Sequence, residues 1–445
     1  MKFIVQPGYQ CRTLLGRIRV PGDKSISHRS IMFGAIAEGV SHISGFLDGE
    51  DSLNTLRAFR AMGVKIDGPD DGRVSIHGVG MHGLQSPAAP LDVGNSGTSM
   101  RLLAGLLAGQ AFDLELRGDA SLSKRPMQRV TDPLTLMGAK VKTAEGGRPP
   151  LKITGRQQLK PVQYTLPMAS AQVKSCCLLA GLYAEGTSCV TEPATTRDHT
   201  ERMLKAFGWP VTINRHKQGL TVCVTGQAIL KATDIDVPAD ISSAAFFMVG
   251  ATISTGSEIV LEHVGINPTR TGIIEILKLM GADLTLLNER EVGGEPVADI
   301  RVRSARLQGI HIPETLVPLA IDEFPVLFVA AACAEGETRI TGAEELRVKE
   351  CDRIQVMADG LQALGVDAVA THDGMIIQGA ADMVAFHGGV VGSHDDHRIA
   401  MAFTMAALRS DGAIHIEDCD NVNTSFPGFA RLAEIAGMTI QVCDE

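Results

Sequence analysis

A sixfold internal repeat is the feature that most constrains the fold of this 445-residue chain. A helical pattern that ends in glycine and runs into a short strand occurs at RAFRAMGVKI (57–66), and five similar segments follow. Each glycine stands where a helix C-terminus needs a left-handed residue. The repeat therefore predicts six copies of one αβ unit. The glycines lie 70 to 84 residues apart and are Gly63, Gly138, Gly208, Gly281, Gly365 and Gly437.

A second pattern alternates with the first and consists of a polar loop, an apolar helix and a strand of alternating residues such as EIVLEH or AIHIED. Its helices are apolar nearly all round, which predicts core helices, whereas the helices of the first pattern, such as residues 52–62, are amphipathic and are expected to face solvent. The six copies contain the segments GDKSISHR, GNSGTSMR, ASAQVKS, PADISS, AIDEFP and SHDDHR.

The repeat also predicts the domain organisation. Three copies fill residues 22–236 and three more fill residues 237–445, so we expect two pseudo-threefold domains that meet at VPADISS. The period is too short for a doubly wound nucleotide fold, and neither GxGxxG nor GxxxxGK[ST] occurs. The alternative is chance similarity among Ala-, Gly- and Leu-rich helices, and six paired copies argue against it.

Composition excludes several classes of function. The net charge of −10, one Trp and three Tyr argue against a nucleic-acid binder. No apolar run approaches the ~20 residues of a membrane helix, and the start is unlike a signal peptide. Nine scattered cysteines without CxxC indicate reduced thiols in a cytosolic protein and no zinc site. We therefore expect a soluble, cytoplasmic protein without a metal.

The helix-opening loops carry the candidate ligand groups. Lys24, Ser25 and Arg29 offer an ammonium, a hydroxyl and a guanidinium at a helix start, which suits a phosphate or carboxylate, although an N-cap with a solvated basic turn is the alternative. Gly97 would let a ligand approach the backbone of the second loop. Together the basic residues predict a substrate pair with several negative charges. Others near such junctions are Lys124, Arg125, Lys174, Arg197, Arg347, Lys349, Arg353 and Arg398.

Candidate acids and bases lie in the second half. Asp322 and Glu323 open an apolar helix, where a carboxylate is otherwise a helix N-terminal charge. Glu350 stands in RVKECDR, and DDHR at 395–398 adds further carboxylates. No GxSxG or HExxH motif occurs, and His199 is interpreted as a polar or capping residue rather than a metal ligand.

These motifs together resemble one family. PGDKSISHR, GNSGTSMR, LSKRPM, ASAQVKS, IDEFP, RVKECDR and DDHRIAM follow one another in the order found in 5-enolpyruvylshikimate-3-phosphate (EPSP) synthases and span essentially the whole chain. RDHTER, DEFP and ASAQ resemble the class II branch. The resemblance implies a two-domain inverted α/β barrel of six βαβαββ units. It also implies that residues 1–21 pack with residues 237–445.

The resemblance implies a reaction and a set of residue roles. The carboxyvinyl group of phosphoenolpyruvate passes to the 5-hydroxyl of shikimate 3-phosphate by addition and elimination, and phosphate leaves, in a monomer without a cofactor. Asp322 is the implied base for the hydroxyl and Glu350 the implied acid for the methylene carbon, with Lys24 and Lys349 as further catalytic residues. The implied shikimate 3-phosphate contacts are Lys24, Ser25, Arg29, Ser170, Gln172, Arg197, Asp322 and Lys349. The implied phosphoenolpyruvate contacts are Lys24, Gly97, Arg125, Gln172, Arg353 and Arg398.

The chain departs from the family pattern in three places. Ala171 stands where many members have a second Ser, Leu102 where many have Pro, and Thr424 where a catalytic-loop Lys is common. Members that tolerate glyphosate commonly carry Ala at the position of Gly97. We therefore expect the glycine to leave room for that inhibitor and to give partial sensitivity.

Two rival functions and one unassigned loop remain. The sister carboxyvinyl transferases acting on UDP-N-acetylglucosamine usually carry Lys-Asn in the first loop and a reactive Cys, whereas this chain has Lys24-Ser25 and no cysteine in residues 118–127. A non-catalytic repeat protein that binds anions would need neither Asp322 nor Glu350. The fourth loop, residues 240–243, is expected to have a hinge or structural role.

Overall fold

A computed structural model describes residues 1–7, 13–216, 219–380 and 384–443. Helices and strands are numbered in chain order. The helices are α1 (Lys24–Ile36), α2 (Glu50–Ala61), α3 (Gly97–Leu107), α4 (Gln128–Leu136), α5 (Ala171–Gly181), α6 (His199–Ala206), α7 (Ile241–Ile253), α8 (Gly272–Leu279), α9 (Phe324–Ala332), α10 (Arg353–Ala363), α11 (His397–Ala406), α12 (Val422–Ser425) and α13 (Phe429–Ala436). Short 3-10 turns cover Leu122–Lys124, Glu145–Gly147, Glu314–Leu316, Glu344–Val348, Ala407–Arg409 and Cys419–Asn421.

The strands are short and occur in every repeat. Those of the first half are β1 (Lys2–Val5), β2 (Leu15–Ile18), β3 (Glu38–Ser44), β4 (Lys65–Asp70), β5 (Arg73–Val79), β6 (Leu91–Asp92), β7 (Leu114–Arg117), β8 (Lys140–Ala144), β9 (Arg148–Thr154), β10 (Gln163–Thr165), β11 (Thr187–Glu192), β12 (Val211–His216) and β13 (Gly219–Thr225). The others are β14 (Ile235–Asp236), β15 (Glu258–Gly265), β16 (Asp283–Val292), β17 (Glu295–Arg303), β18 (Gly336–Ile340), β19 (Asp367–Ala370), β20 (Met375–Gly379), β21 (Gly389–Gly392), β22 (Ile414–Glu417) and β23 (Ile440–Cys443).

The two helix classes of the repeat are both present, as predicted. α1, α3, α5, α7, α9 and α11 open at the polar loops, and every residue of α7 and α9 is buried. α2, α4, α6, α8, α10 and α13 bury one face, because their sequences are amphipathic. All six repeat glycines have positive φ at the helix ends, between 82° at Gly208 and 121° at Gly437. The repeat prediction is confirmed.

The described strands form six sheets, one for each repeat. Five have four strands, in the orders β14-β3-β5-β4, β6-β7-β9-β8, β10-β11-β13-β12, β16-β17-β15-β2 and β21-β22-β1-β23, and one has three, β18-β20-β19. In each four-stranded sheet a parallel pair stands beside antiparallel pairs, as where β10 pairs with β11. This is the inverted α/β barrel architecture of six βαβαββ units.

The chain divides into two compact units. The first unit comprises Gly22–Val237 and Val292–Gly294, and the second comprises Met1–Pro21, Pro238–Glu291 and Glu295–Glu445. The N-terminal strands complete sheets of the second unit, since β1 pairs with β22 and β23 and β2 pairs with β15. The division differs from the predicted boundaries at two places. Val237 joins the first unit because its N–H donates to the Ser44 carbonyl, 2.8 Å away, and residues 292–294 join it through a 3.0 Å bond from Arg202 to the Gly294 carbonyl.

Each unit has its own hydrophobic core, formed by its buried helices and the inner faces of its sheets. Among the described residues, no helix has both the length and the hydropathy that crossing a bilayer requires. One expectation about the cysteines is wrong, because Cys189 and Cys223 form a disulfide. Their spacing gave no signal, since the antiparallel register of β11 and β13 places them opposite one another, with Cα atoms 4.1 Å apart.

Candidate active site

The first polar loop of the first unit opens α1. The Asp23 carboxylate caps the helix by accepting from the Ile26 N–H at 2.8 Å. Lys24 and Ser25 follow and are partly exposed, and the Lys24 ammonium lies 3.0 Å from the Asp51 carboxylate of α2. An ammonium and a hydroxyl at a helix N-terminus provide an anion-binding arrangement.

Arg29, one turn further along α1, is 4% exposed. Its Nε donates to the Thr200 hydroxyl at 2.7 Å, and its two terminal nitrogens donate to the Ser175 hydroxyl and the Ser25 carbonyl, both at 3.0 Å. These bonds join α1, α5 and α6. Arg29 therefore braces three helices, and its implied contact with a substrate stays a prediction.

Two guanidinium groups lie against Gly97 at the start of α3. A Cβ atom on Gly97 would lie 3.1 Å from Nη1 of Arg101 and 3.3 Å from Nη1 of Arg125. Arg125 also donates to the Asn95 side-chain oxygen at 2.7 Å. Only glycine leaves this space open to a ligand that needs both guanidinium groups.

Gln172 connects the second and third polar loops. Its side-chain oxygen accepts from Arg101, and its amide nitrogen donates to the Thr98 hydroxyl at 3.0 Å. Ser170 caps α5 by accepting from the Val173 N–H. The loops at Gly97 and Ser170 therefore share one hydrogen-bond network.

The second unit gathers cations around Asp322. Its carboxylate lies 3.5 Å from Nη1 of Arg353, 3.8 Å from Nζ of Lys349 and 3.9 Å from Nη2 of Arg398. Arg398 also donates to the Asp322 backbone carbonyl at 2.8 Å. One partly exposed carboxylate is thus oriented from three sides by the residues that the sequence singled out.

Arg353 is the fixed centre of this cluster and is 1% exposed. Its Nε lies 2.7 Å from Asp396, which caps α11, and its Nη2 lies 2.6 Å from Glu350. Burial disfavours the charged guanidinium, but Asp396, Glu350 and Asp322 outweigh that effect and raise the pKa of Arg353. Arg353 therefore stays charged and holds Glu350 in a defined position.

The fourth polar loop is a buried network. Arg270 donates to the Asp240 carboxylate at 3.2 Å and to the Ser242 hydroxyl at 2.7 Å, and Ser242 donates to Glu323. Glu323 and Arg270 are 1% and 3% exposed. These contacts support the structural role for the loop and place Glu323 in the protein interior, beside the partly exposed Asp322.

Comparisons with known proteins identify the family of the chain. Residues 9–432 match the family model of EPSP synthase (3-phosphoshikimate 1-carboxyvinyltransferase). The chain belongs to the EPSP synthase family. It is 67% identical over 440 residues to the 3-phosphoshikimate 1-carboxyvinyltransferase of Alkalilimnicola ehrlichii, covering 99% of this chain and 96% of that one. It is 66% identical over 427 residues to the enzyme of the same name from Methylococcus capsulatus, covering 96% of each chain.

Solved structures show the same relationship. An EPSP synthase from Acinetobacter baumannii superimposes with a TM-score of 0.89 at 61% identity, with both chains fully covered. The enolpyruvyl transferase NikO from Streptomyces tendae shares 16% identity at a TM-score of 0.76, over 99% of this chain and 98% of that one, and so shares the fold. The family resemblance inferred from the motifs is confirmed.

In this member of the EPSP synthase family, the structure brings several of the predicted site residues together. Asp322, Lys349, Glu350, Arg353 and Arg398 form one cluster, and Gly97, Arg125 and Gln172 meet through Arg101. Ser170 and Arg197 are both partly exposed at loop–helix junctions.

Sequence reasoning missed Arg101 and misjudged Lys174. Arg101 follows Gly97 by four residues on α3, and that helical spacing was the available signal. Lys174 was counted among the anion-binding candidates, but it is 0% exposed and forms ion pairs with Glu192 and Glu201. The reason is that α5 is a core helix, so a side chain one turn inside it points into the protein.

Proposed function

We propose that this chain transfers the carboxyvinyl group of phosphoenolpyruvate to the 5-hydroxyl of shikimate 3-phosphate, as its family name describes, and so serves the shikimate pathway to aromatic amino acids. The observation that carries the proposal is the Asp322 cluster, where a partly exposed carboxylate, a second carboxylate at Glu350 and three cations lie together. A protein that only bound anions would not need two carboxylates among its cations.

The addition step uses both carboxylates of the second unit. Asp322, as the carboxylate, accepts the 5-hydroxyl proton while that oxygen bonds to C2 of phosphoenolpyruvate, and Glu350, as the protonated carboxylic acid, delivers a proton to the methylene carbon. The product is a tetrahedral ketal. In the elimination step the bond from C2 to the phosphate oxygen breaks, Asp322 returns its proton to the leaving phosphate, and Glu350 removes a methyl proton to restore the vinyl group.

The substrate contacts divide by chemistry. We assign the carboxylate and phosphate of phosphoenolpyruvate to Lys24, Gly97, Arg125, Gln172, Arg353 and Arg398, and we add Arg101 because it faces Gly97 beside Arg125. We assign shikimate 3-phosphate to Lys24, Ser25, Arg29, Ser170, Gln172, Arg197, Asp322 and Lys349. Positioned cations stabilise the charge that develops on the leaving phosphate.

We further propose a cytoplasmic monomer that needs neither an organic cofactor nor a metal. Light scattering in solution measures the molecular mass and so tests the monomeric state. An unchanged rate of turnover after chelation of divalent metals would support the absence of a metal requirement.

A phosphate-release assay tests the reaction. We expect phosphate release from phosphoenolpyruvate with shikimate 3-phosphate and none without it. Replacement of that acceptor by UDP-N-acetylglucosamine should give no turnover. Binding of both shikimate pathway substrates without turnover would support the anion-binding alternative, and turnover with the nucleotide sugar would support the sister transferase.

A further inference from the structure

Three charged side chains of the first unit lie inside the protein and are not among the residues assigned to substrates. Lys174 of α5 is 0% exposed, and its ammonium lies 3.0 Å from Glu192 at the end of β11 and 2.7 Å from Glu201 of α6. Glu192 and Glu201 are 0% and 1% exposed. Buried ions carry a large desolvation cost, and apolar side chains of similar size often stabilise a fold as well or better. Fold stability alone therefore explains this triad poorly.

The triad is connected to two segments that carry proposed ligand contacts. Lys174 lies one turn after Ser170, the residue that caps α5. Glu192 accepts two hydrogen bonds from Thr196, from its N–H at 3.1 Å and from its hydroxyl at 2.6 Å, and Arg197 is the next residue. The same three charges thus hold the start of α5 and the loop that carries Arg197.

The ammonium of Lys174 is stable in this setting. Burial lowers the pKa of Lys174, but Glu201 and Glu192 outweigh that effect and raise it, so the ammonium persists. Burial raises the pKa of Glu201, and Lys174 opposes that shift. The ammonium is the common partner that keeps the two carboxylates, and hence β11 and α6, next to α5.

We propose that the Lys174–Glu192–Glu201 triad positions the phosphate site of shikimate 3-phosphate by fixing Arg197 relative to Ser170 and Gln172. This inference rests on the proposed function, since it takes Arg197 and Ser170 as contacts of that substrate. The triad residues touch no substrate and act as positioning residues. The hydrogen bonds of Thr196 to Glu192 are the link between the triad and the ligand-binding loop.

The sharpest test uses a pair of variants at Thr196. Thr196→Ser keeps the hydroxyl bond to Glu192, and Thr196→Val removes it. Thr196→Val loses a hydrogen bond to a charged carboxylate. This loss should raise both the KM and the Kd of shikimate 3-phosphate about tenfold. The kcat and the KM of phosphoenolpyruvate should stay within about twofold of the parent, because the chemical step and the other subsite are unchanged. Thr196→Ser should behave like the parent.

Two further variants separate positioning from stability. Thr252→Val removes another buried hydroxyl, one that bonds a helix carbonyl at 2.7 Å in α7, and should lower Tm without changing either KM. Lys174→Met should raise the KM of shikimate 3-phosphate more than Thr196→Val does. If Lys174→Met does not fold, the Thr196 pair still decides.

The outcomes are distinct. Equal KM and Kd values for shikimate 3-phosphate in Thr196→Val and Thr196→Ser, with a lower Tm in the first, would overturn the positioning role. Absence of turnover in the parent chain would overturn the proposed function instead. In that case calorimetric Kd values for shikimate 3-phosphate still show whether the Thr196 pair differs.

Discussion

The two units are built from the same αβ repeat, yet the arginines beside Gly97 and those beside Asp322 have different partners. In the first unit Arg101 donates to the Gln172 side chain, and Arg125 donates to the Asn95 side-chain oxygen and to the Ser121 hydroxyl. In the second unit Arg353 bonds to carboxylates on two sides and faces Asp322 on a third. Both units therefore place arginines near helix starts. The groups that each arginine contacts decide which chemical role its site can have.

This difference has a physical basis. An amide or hydroxyl partner orients a guanidinium and itself carries no counter-charge. A carboxylate partner neutralises the cation but becomes fixed in place itself, which is what an acid or base needs. The loop at Gly97 is accordingly suited to anion binding, and the Asp322 cluster to proton transfer beside cations that are also proposed to bind phosphoenolpyruvate.

The largest expected effect tests the proton-transfer side of the comparison. Asp322→Asn keeps the shape of the side chain but cannot accept the hydroxyl proton, so kcat should fall about 10²–10⁴-fold in the phosphate-release assay. Calorimetry should still detect binding of shikimate 3-phosphate. A kcat near that of the parent would show that another residue is the base.

The second prediction concerns the carboxylate partners of Arg353. Arg353→Met leaves Asp396 buried without its cation and should lower the free energy of unfolding by about 3–5 kcal/mol, measured by urea denaturation. The matched control is Arg339→Met, because the pair of Arg339 with Glu337 is about half exposed and should contribute about 0–1 kcal/mol. Similar decreases in the free energy of unfolding in the two variants would show that the buried ion pairs of Arg353 contribute no more to stability than the exposed pair of Arg339.

The third prediction tests the open space beside the first-unit guanidinium groups. Gly97→Ala places a methyl group 3.1 Å from Arg101 and 3.3 Å from Arg125, so both must shift. Overpacking of about 1–3 kcal/mol corresponds to a KM for phosphoenolpyruvate roughly tenfold higher or more. The inhibition constant of glyphosate should rise as well. Equal inhibition constants for glyphosate in the parent and in Gly97→Ala would show that Gly97 does not contribute to the binding site of this inhibitor.

The smallest expected effect concerns pH and His28, a buried residue of α1 whose Nδ1 lies 2.8 Å from the Thr55 hydroxyl. Burial, with Lys24 and Arg29, holds the pKa of His28 well below 6.5. The unfolded chain therefore takes up a proton near pH 6.5 that the folded chain does not. The free energy of unfolding should fall below that pH by up to about 1.4 kcal/mol per pH unit from this residue.

Urea denaturation between pH 7.5 and 5.5, on the order of one unit either side of the His midpoint, measures this slope. His28→Asn should lose the one-proton part of it. Identical slopes in the parent and in His28→Asn would mean that His28 binds the same number of protons in the folded and unfolded chains.

The architecture could be predicted from the sequence because the repeat consists of patterns among residues that are close together in the chain. The glycines at helix ends, the apolar core helices and the amphipathic outer helices each follow from spacing alone, and the structure has all three. The members of the cluster around Asp322 could also be predicted from the sequence, because each of them lies near a helix start. These features depend on residues close together in sequence.

What the sequence missed depends on contacts between distant residues. The pairing of Cys189 with Cys223 follows from strand register, and the burial of Lys174 depends on how α5 packs against β11 and α6. Arg29 carries the charge that its motif suggested, but its bonds to Thr200 and Ser175 could not be read from that motif. Side-chain partners of this kind require the assembled fold.

The pairing of β1 with β22 and β23 has a consequence for the order of events during synthesis. Residues 2–5 leave the ribosome well before their partner strands, which lie at residues 414–417 and 440–443. At about 5–20 residues per second, β1 waits tens of seconds for its neighbours. The latest partner strand of the first unit is synthesised sooner, because β3 (Glu38–Ser44) pairs with β14 at residues 235–236. Nascent chains should therefore acquire protease resistance over the first unit well before the second.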